Sequence, residues 1–218
     1  MKPRNQISRR RLMELGGAIA VLGATQAAAV DLLRRTPAQA TGPFYPREIP
    51  LDHDADLTLI KGHSQRAAGQ VVHVVGRVRN AAGEPVAGAR IEIWQANAHG
   101  RYTHPRDSNP APLDPHFEGY ASFATDEQGR YRFKTIKPGA YPAGGSVRPP
   151  HIHFDVTGRK NKLVTQMYFP GEARNADDPV IANAREYQNL LIAEVGPPGA
   201  GLEPDSWLAR WDIVLEDG

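Results

Sequence analysis

Apolar and polar positions alternate in short runs along most of this chain. Ala89–Gln95 puts Ile91 and Ile93 on one side and Arg90, Glu92 and Trp94 on the other. Arg130–Ile136 does the same with Tyr131, Phe133 and Thr135 against Arg130, Arg132 and Lys134. Successive strand side chains point to opposite faces, so each run predicts a half-buried strand. Val71–Val78, more continuously apolar but carrying His73 and Arg77, reads as another strand. Further strands are expected at 119–124, 151–157, 163–169 and 208–215. Turn sequences separate them, including Asn80-Ala81-Ala82-Gly83-Glu84-Pro85 and Thr125-Asp126-Glu127-Gln128-Gly129. The predicted fold class is all-β, an antiparallel β-sandwich with long irregular loops and little helix. Helix is expected only around Pro179–Tyr187. Two stretches fit neither period: Gly196–Asp205, and Thr103–His116 with Pro105, Pro110, Pro112 and Pro115. Long irregular loops in a compact domain often line a site.

Domain organisation follows from where the strand pattern starts. Residues 71–218 hold the sandwich. Residues 30–70 are loop-rich, with Thr41-Gly42-Pro43-Phe44-Tyr45-Pro46 inside, and read as a segment that wraps the domain. Residues 1–29 stand apart: basic from Met1 to Arg11, apolar from Leu12 to Ala24 apart from Glu14, then Ala27-Ala28-Ala29. That is the layout of a signal peptide. Ser8-Arg9-Arg10-Arg11-Leu12-Met13 resembles the twin-arginine export motif, so a periplasmic or secreted protein is expected. Ala38-Gln39-Ala40 is a second candidate cleavage site. The apolar run falls short of the roughly 20 residues of a membrane span, so no membrane association is expected in the mature form.

The leader also distorts the charge. The chain is formally +2, but residues 1–29 carry Lys2, Arg4, Arg9, Arg10 and Arg11 against Glu14 alone. Of 26 basic and 24 acidic residues, 21 and 23 remain, a net charge of −2. Nucleic acid is therefore not an expected partner. With no cysteine, disulfides and thiolate ligands are excluded, and any metal must be held by nitrogen and oxygen.

The chemistry centres on Arg148-Pro149-Pro150-His151-Ile152-His153-Phe154. The prolines exclude a helix here, and in a strand His151 and His153 share one face. Tyr102 follows Gly100-Arg101, and Tyr141 lies in Pro138-Gly139-Ala140-Tyr141-Pro142. Taken singly, each tyrosine reads as a packing residue; jointly the four make a donor set. A phenol with a pKa of about 10 ionises at neutral pH only with help, which a trivalent cation supplies. Two phenolates and two neutral imidazoles leave Fe(III) one positive charge, suited to a hydroxide. Zinc is a poorer match, since its usual ligands are Cys, His and carboxylate. His99, His104 and His116 read as solvated loop histidines, and His73 as a strand residue satisfied by packing and one hydrogen bond.

Ile93-Trp94-Gln95-Ala96-Asn97, Gly100-Arg101-Tyr102, Thr135-Ile136-Lys137-Pro138-Gly139-Ala140-Tyr141-Pro142 and the His-x-His run together resemble the intradiol ring-cleavage dioxygenases. The likeness, over about 41–172, is greatest to the iron-binding chain of protocatechuate 3,4-dioxygenase. It implies a non-haem Fe(III) held by Tyr102, Tyr141, His151 and His153, with Tyr141 the ligand that departs when substrate binds. It implies that Arg148 faces the substrate ring, that Gln166 stands beside the site, and that residues 41–45 border the pocket. The implied reaction cleaves a catechol between its hydroxylated carbons with O2, giving a cis,cis-muconate-type product. A homo-oligomer, or pairing with a degenerate partner chain, stays open. Where many protocatechuate enzymes carry an aromatic residue two places after the axial tyrosine, this chain has Ala143, followed by Gly144-Gly145. The alternative is a non-catalytic, transthyretin-like β-sandwich binding module, since Gly83-Glu84-Pro85-Val86-Ala87-Gly88-Ala89 also occurs in such sandwiches. A different His/Tyr metalloenzyme, such as a hydrolase, is a third reading.

Overall fold

The computed structural model describes residues 32–50 and 52–217, and the expected leader lies outside the described residues. Two sheets face each other. In the first, β1 (Val71–Arg79) runs antiparallel to β4 (Arg130–Ile136), from Val71 opposite Ile136 to Arg77 opposite Arg130. Its other partners are β10 (Trp207–Arg210), which carries β9 (Glu194–Gly196) beyond it, and β11 (Ile213–Val214). The second sheet is antiparallel throughout, in the order β3 (Tyr120–Ala124), β2 (Arg90–Trp94), β7 (His151–Thr157), β8 (Lys162–Tyr168).

The all-β prediction holds, with two departures. The run expected at 208–215 breaks at Trp211-Asp212 into β10 and β11, and both lie parallel to β1. A parallel return needs a long connection, and here the chain traverses the other sheet before coming back beside β1. At the break the Asp212 carboxylate accepts from the Arg77 backbone N–H at 2.9 Å. The freed Trp211 ring turns inward onto Phe154, with centroids 4.9 Å apart. The second departure is a small hairpin, β5 (Tyr141–Ala143) and β6 (Ser146–Arg148), joined by Gly144-Gly145 at φ +58° and +84°. Such positive angles are what a two-residue hairpin turn requires. Arms of three residues are too short to show an alternation. Helix is confined as expected, to α1 (Pro179–Ala182) and a 3-10 turn at Arg185–Leu191, with a further 3-10 turn at Ala173–Asn175.

The core fills the space between the sheets. Val72, Val74, Tyr131 and Phe133 meet Ile91, Ile93, Ile152, Phe154 and Val156, all buried. Each such side chain contributes about 1.5–3 kcal/mol of burial, and Phe154→Ala would cost about 3–5 kcal/mol. Because Ile152, Phe154 and Val156 face this core, the strand period sends His151, His153 and Asp155 to the opposite face. That face is also covered. Residues 33–40 lead up to it from the edge of the first sheet, with Thr36 N–H donating to the Val214 carbonyl of β11 and Gln39 N–H to the Val164 carbonyl of β8. Farther along, Phe44 and Tyr45 pack on a second apolar cluster of Trp94, Tyr102, Tyr120 and Tyr141. The part of this segment at Gly42, Phe44 and Tyr45 roofs the histidines.

Candidate active site

Four donors converge under this roof. His151 and His153 lie two residues apart on β7, and their Nε2 atoms are 3.3 Å apart. Tyr141, on β5, brings its hydroxyl to 3.3 Å from His151 Nε2. The ring of Tyr102 stands edge-on to Tyr141, with centroids 5.2 Å apart, and is 6.3 Å from the His153 ring. The approach of the two tyrosines depends on Gly100. A Cβ there would lie 2.2 Å from the Ala140 carbonyl oxygen, so only glycine lets these two turns touch. Trp94, directly opposite His153 across the strands, stacks on its imidazole at 4.8 Å and 5°. The structure thus gathers Tyr102, Tyr141, His151 and His153 in one place.

The electrostatics favour a cation among them. His151 Nδ1 donates to the Pro149 carbonyl at 2.7 Å, because a carbonyl can only accept. That fixes the tautomer and leaves the Nε2 lone pair facing the cluster. Burial, aided by the Arg148 charge, holds the His151 pKa down to about 3, and burial with its histidine neighbour keeps His153 well below the usual range. Both imidazoles are therefore neutral. Among the described residues, the Tyr102 hydroxyl and His153 Nδ1 are buried with no well-formed hydrogen bond, a rare condition in folded proteins. Burial pushes the Tyr102 phenol well above its ordinary value, and Tyr141 adds to that shift. Tyr141 is also raised by burial, with Arg148 opposing. Phenols so placed ionise only beside a strong Lewis acid. An oxygen- and nitrogen-only set with an orphaned hydroxyl fits a hard, trivalent metal ion.

Beside the donors runs a fixed polar chain. Arg148, paired with Tyr141 across β5 and β6, is buried. Its Nε donates to Asp178 Oδ2 at 2.5 Å, and its Nη2 donates to Gln166 Oε1 at 2.9 Å and to the Tyr168 hydroxyl at 2.7 Å. Gln166 in turn donates from Nε2 to the Ala40 carbonyl at 2.7 Å, tying the roof to the arginine. So Gln166 does lie beside the cluster. Asp178 and Tyr168 were missed by the sequence reading. Asp178-Pro179 carries a helix N-cap signature, and the cap is real, but only the fold reveals the second job on Arg148.

One histidine reading is corrected. His104 is buried rather than solvated, with its ring 5.7 Å from Phe44. The reason is that the 103–116 loop folds back under the roof, where Arg106 Nη2 donates to the Pro43 carbonyl at 2.8 Å. His99 is exposed and His116 half-buried. His73 pairs through Nε2 with Glu203 at 2.5 Å, the single partner expected of it.

Comparison with known proteins bears on the same residues. A family model described as "Dioxygenase" matches residues 40–217, a span that contains all four donors, Arg148, Gln166 and Asp178. The protocatechuate 3,4-dioxygenase beta chain of Burkholderia cepacia is 48% identical over 142 residues, 63% of this chain and 60% of that protein. The chain belongs to the intradiol dioxygenase family. The hydroxyquinol 1,2-dioxygenase of Corynebacterium glutamicum is 30% identical over 204 residues, covering 84% of this intradiol dioxygenase and 64% of the relative. Among solved structures, catechol 1,2-dioxygenase from Pseudomonas arvilla C-1 superposes with a TM-score of 0.65 at 26% identity, covering 84% of this chain and 62% of that one. The 3-chlorocatechol 1,2-dioxygenase of Rhodococcus opacus 1CP, at 21% identity and a TM-score of 0.67, shares the fold. The chain spans 48% to 60% of the length of the first four curated relatives it matches.

Proposed function

We propose that this family member is a non-haem Fe(III) enzyme that cleaves a catechol between its two hydroxylated carbons. Both atoms of O2 enter the product, a cis,cis-muconate-type diacid. The observation that carries this reading is the donor set itself: two buried phenols and two neutral imidazoles gathered in one cluster, one hydroxyl having no well-formed hydrogen bond among the described residues. Tyr102, Tyr141, His151 and His153 would hold the ion. Ferric iron bound there supplies the Lewis acidity that ionises phenols and the redox centre at which an electron-rich ring meets O2.

The protein's own groups do the rest. Catechol must lose two protons to bind as a dianion, and Tyr141 Oη, at the edge of the cluster, is placed to take one of them. Tyr141 would thus both help to hold the ion and act as a base toward the substrate. Arg148, always cationic, offers fixed positive charge where the ring becomes electron-rich, and its three partners hold it so that no reorganisation is needed. Phe44 and Tyr45 keep bulk water from the reacting centre. A twin-arginine leader, which exports proteins already folded, would suit a metal loaded before export, and we place the mature enzyme in the periplasm or outside the cell.

The test is a visible spectrum with iron quantified, before and after anaerobic addition of catechol. A burgundy protein whose broad tyrosinate-to-iron band shifts with catechol supports the reading. A colourless protein that stays iron-free after reconstitution would sink it and leave the binding module. Zinc or another divalent ion without that band would point to a hydrolase-like metalloenzyme.

A further inference from the structure

A groove of about 650 Å³ opens next to the donor cluster, walled by Phe44, the Arg106–Pro110 stretch, the β5–β6 hairpin and Arg174. It starts at the donors' outer wall. The Phe44 ring is 4.7 Å from Tyr102 and 6.1 Å from Tyr141, and the hairpin side of the groove begins at Pro142, the residue after Tyr141. That side is built from Ala143-Gly144-Gly145, and a Cβ at either glycine would meet nothing within 4 Å. Among the described residues, no side chain packs against these two glycines.

Its charge is one-sided. Arg106 and Arg174 line it, both exposed, and among the described residues neither belongs to an ion pair. The one acid in the lining, Asp107, is buried and already engaged. Its Oδ2 accepts from the Tyr102 backbone N–H at 2.7 Å and lies 3.8 Å from Arg101 Nε, while its Oδ1 accepts from the Asn109 N–H at 2.9 Å. Arg106 is also oriented, since its bond to the Pro43 carbonyl fixes one nitrogen and leaves the others free. The deeper cation, Arg148, is by contrast matched by Asp178.

A groove of this volume lies in the range of roughly 300–1,000 Å³ that holds ligands well beyond a single ring. We propose that it receives an anionic side chain carried by the catechol. The substrate class is then a 3,4-dihydroxyphenyl compound extended by a chain ending in carboxylate, with Arg106 and Arg174 as specificity-determining residues. This rests on the dioxygenase reading above.

The test compares kcat/KM for 3-(3,4-dihydroxyphenyl)propionate with that for its methyl ester, with unsubstituted catechol as the control, on the iron-loaded protein. The acid is expected to be favoured over the ester by about fivefold for each exposed arginine it meets. That preference should shrink in high salt, because exposed charges are screened. Arg174→Glu, at an exposed side chain with no ion-pair partner among the described residues, should turn the preference toward the ester. Arg106→Gln should weaken it. Equal efficiencies for acid and ester in the wild type, or a preference untouched by Arg174→Glu, would overturn the proposal. Turnover of catechol alone, with both extended compounds refused, would overturn it while leaving the dioxygenase reading intact. Failure on all three compounds removes the dioxygenase reading and this proposal with it.

Discussion

Arg148 Nε donates to Asp178 Oδ2 at 2.5 Å, while the other oxygen of that carboxylate accepts from the Val180 and Ile181 backbone N–H groups at 2.8 and 2.9 Å. One buried acid thus fixes a guanidinium and starts α1. Asp178→Asn keeps an oxygen for the cap and removes the counter-charge. Breaking a buried pair from one side costs about 3–5 kcal/mol, because the remaining charge is stranded. Urea unfolding should show a loss of that order for Asp178→Asn, and the Asp178→Asn/Arg148→Gln double variant should recover part of it. Strict additivity in that cycle would mean the pair is not coupled.

Arg148 itself should separate binding of metal from turnover. Arg148→Ala is expected to keep iron and colour yet lose about 10²–10³-fold in kcat, the usual size for removing a preorganised electrostatic group. Near-full activity in this variant would remove the role we assign to the charge.

Gln166 connects that arginine to the roof. Its Oε1 accepts from Arg148 and Tyr168, and its Nε2 donates to the Ala40 carbonyl. Gln166→Leu leaves that carbonyl without this partner, and an unmet buried group costs about 1–3 kcal/mol. The expected signature is a lower unfolding midpoint together with a raised KM, since residues 40–45 lose their tie. A KM equal to that of the wild type would show that the roof is held without Gln166.

The orphaned hydroxyl of Tyr102 allows a sharper test of the metal site. A buried hydroxyl with no partner is unfavourable, so Tyr102→Phe should leave the metal-free protein as stable as the wild type or more so by about 1 kcal/mol. The iron-loaded protein should show the opposite. Iron at a hundred times its dissociation constant stabilises a folded protein by about 2.7 kcal/mol, and the variant should lose most of that gain. Thermal unfolding with and without iron reads both effects. Destabilisation of the metal-free form by Tyr102→Phe would mean the hydroxyl has a structural partner after all.

Much of this was legible in the chain before folding, and the reasons differ by residue. His151 and His153 could be placed on one face because the strand period is two and the prolines before them exclude a helix. Tyr102 and Tyr141 could be joined to them as a donor set by residue type and then by family resemblance, but the contact of their turns depends on Gly100 meeting Ala140, a tertiary fact. Asp178 is legible as a helix cap and not as the partner of an arginine 30 residues away. His104 looked solvated because a proline-rich loop gives no sign of folding under a neighbouring segment. The parallel pairing of β10 and β11 with β1 is likewise invisible to a pattern that reports faces but not directions.

Glu118 offers a last prediction, in the pH dependence of stability. Among the described residues, its buried carboxylate oxygens have no well-formed hydrogen bond, and ligand atoms of Asp52, Asp54 and Glu118 lie within 4.8 Å of one another. Burial first, then Asp52 and the other nearby acids, push its pKa up to about 8. The folded protein therefore holds this proton more tightly than the unfolded chain does. Below the ordinary glutamate pKa, about 4.3, both states are protonated and the group adds no pH dependence. Above that, the unfolded chain releases its proton while the folded one keeps it, so stability falls as pH rises until the folded carboxyl also ionises near 8. Glu118→Gln keeps the neutral shape at every pH. Relative to the wild type, the variant should gain most at pH 8–9 and change least near pH 4–5, as followed by thermal unfolding across that range. Parallel curves for the two proteins would show that Glu118 shares its charge with solvent, and that the acidic cluster carries no such strain.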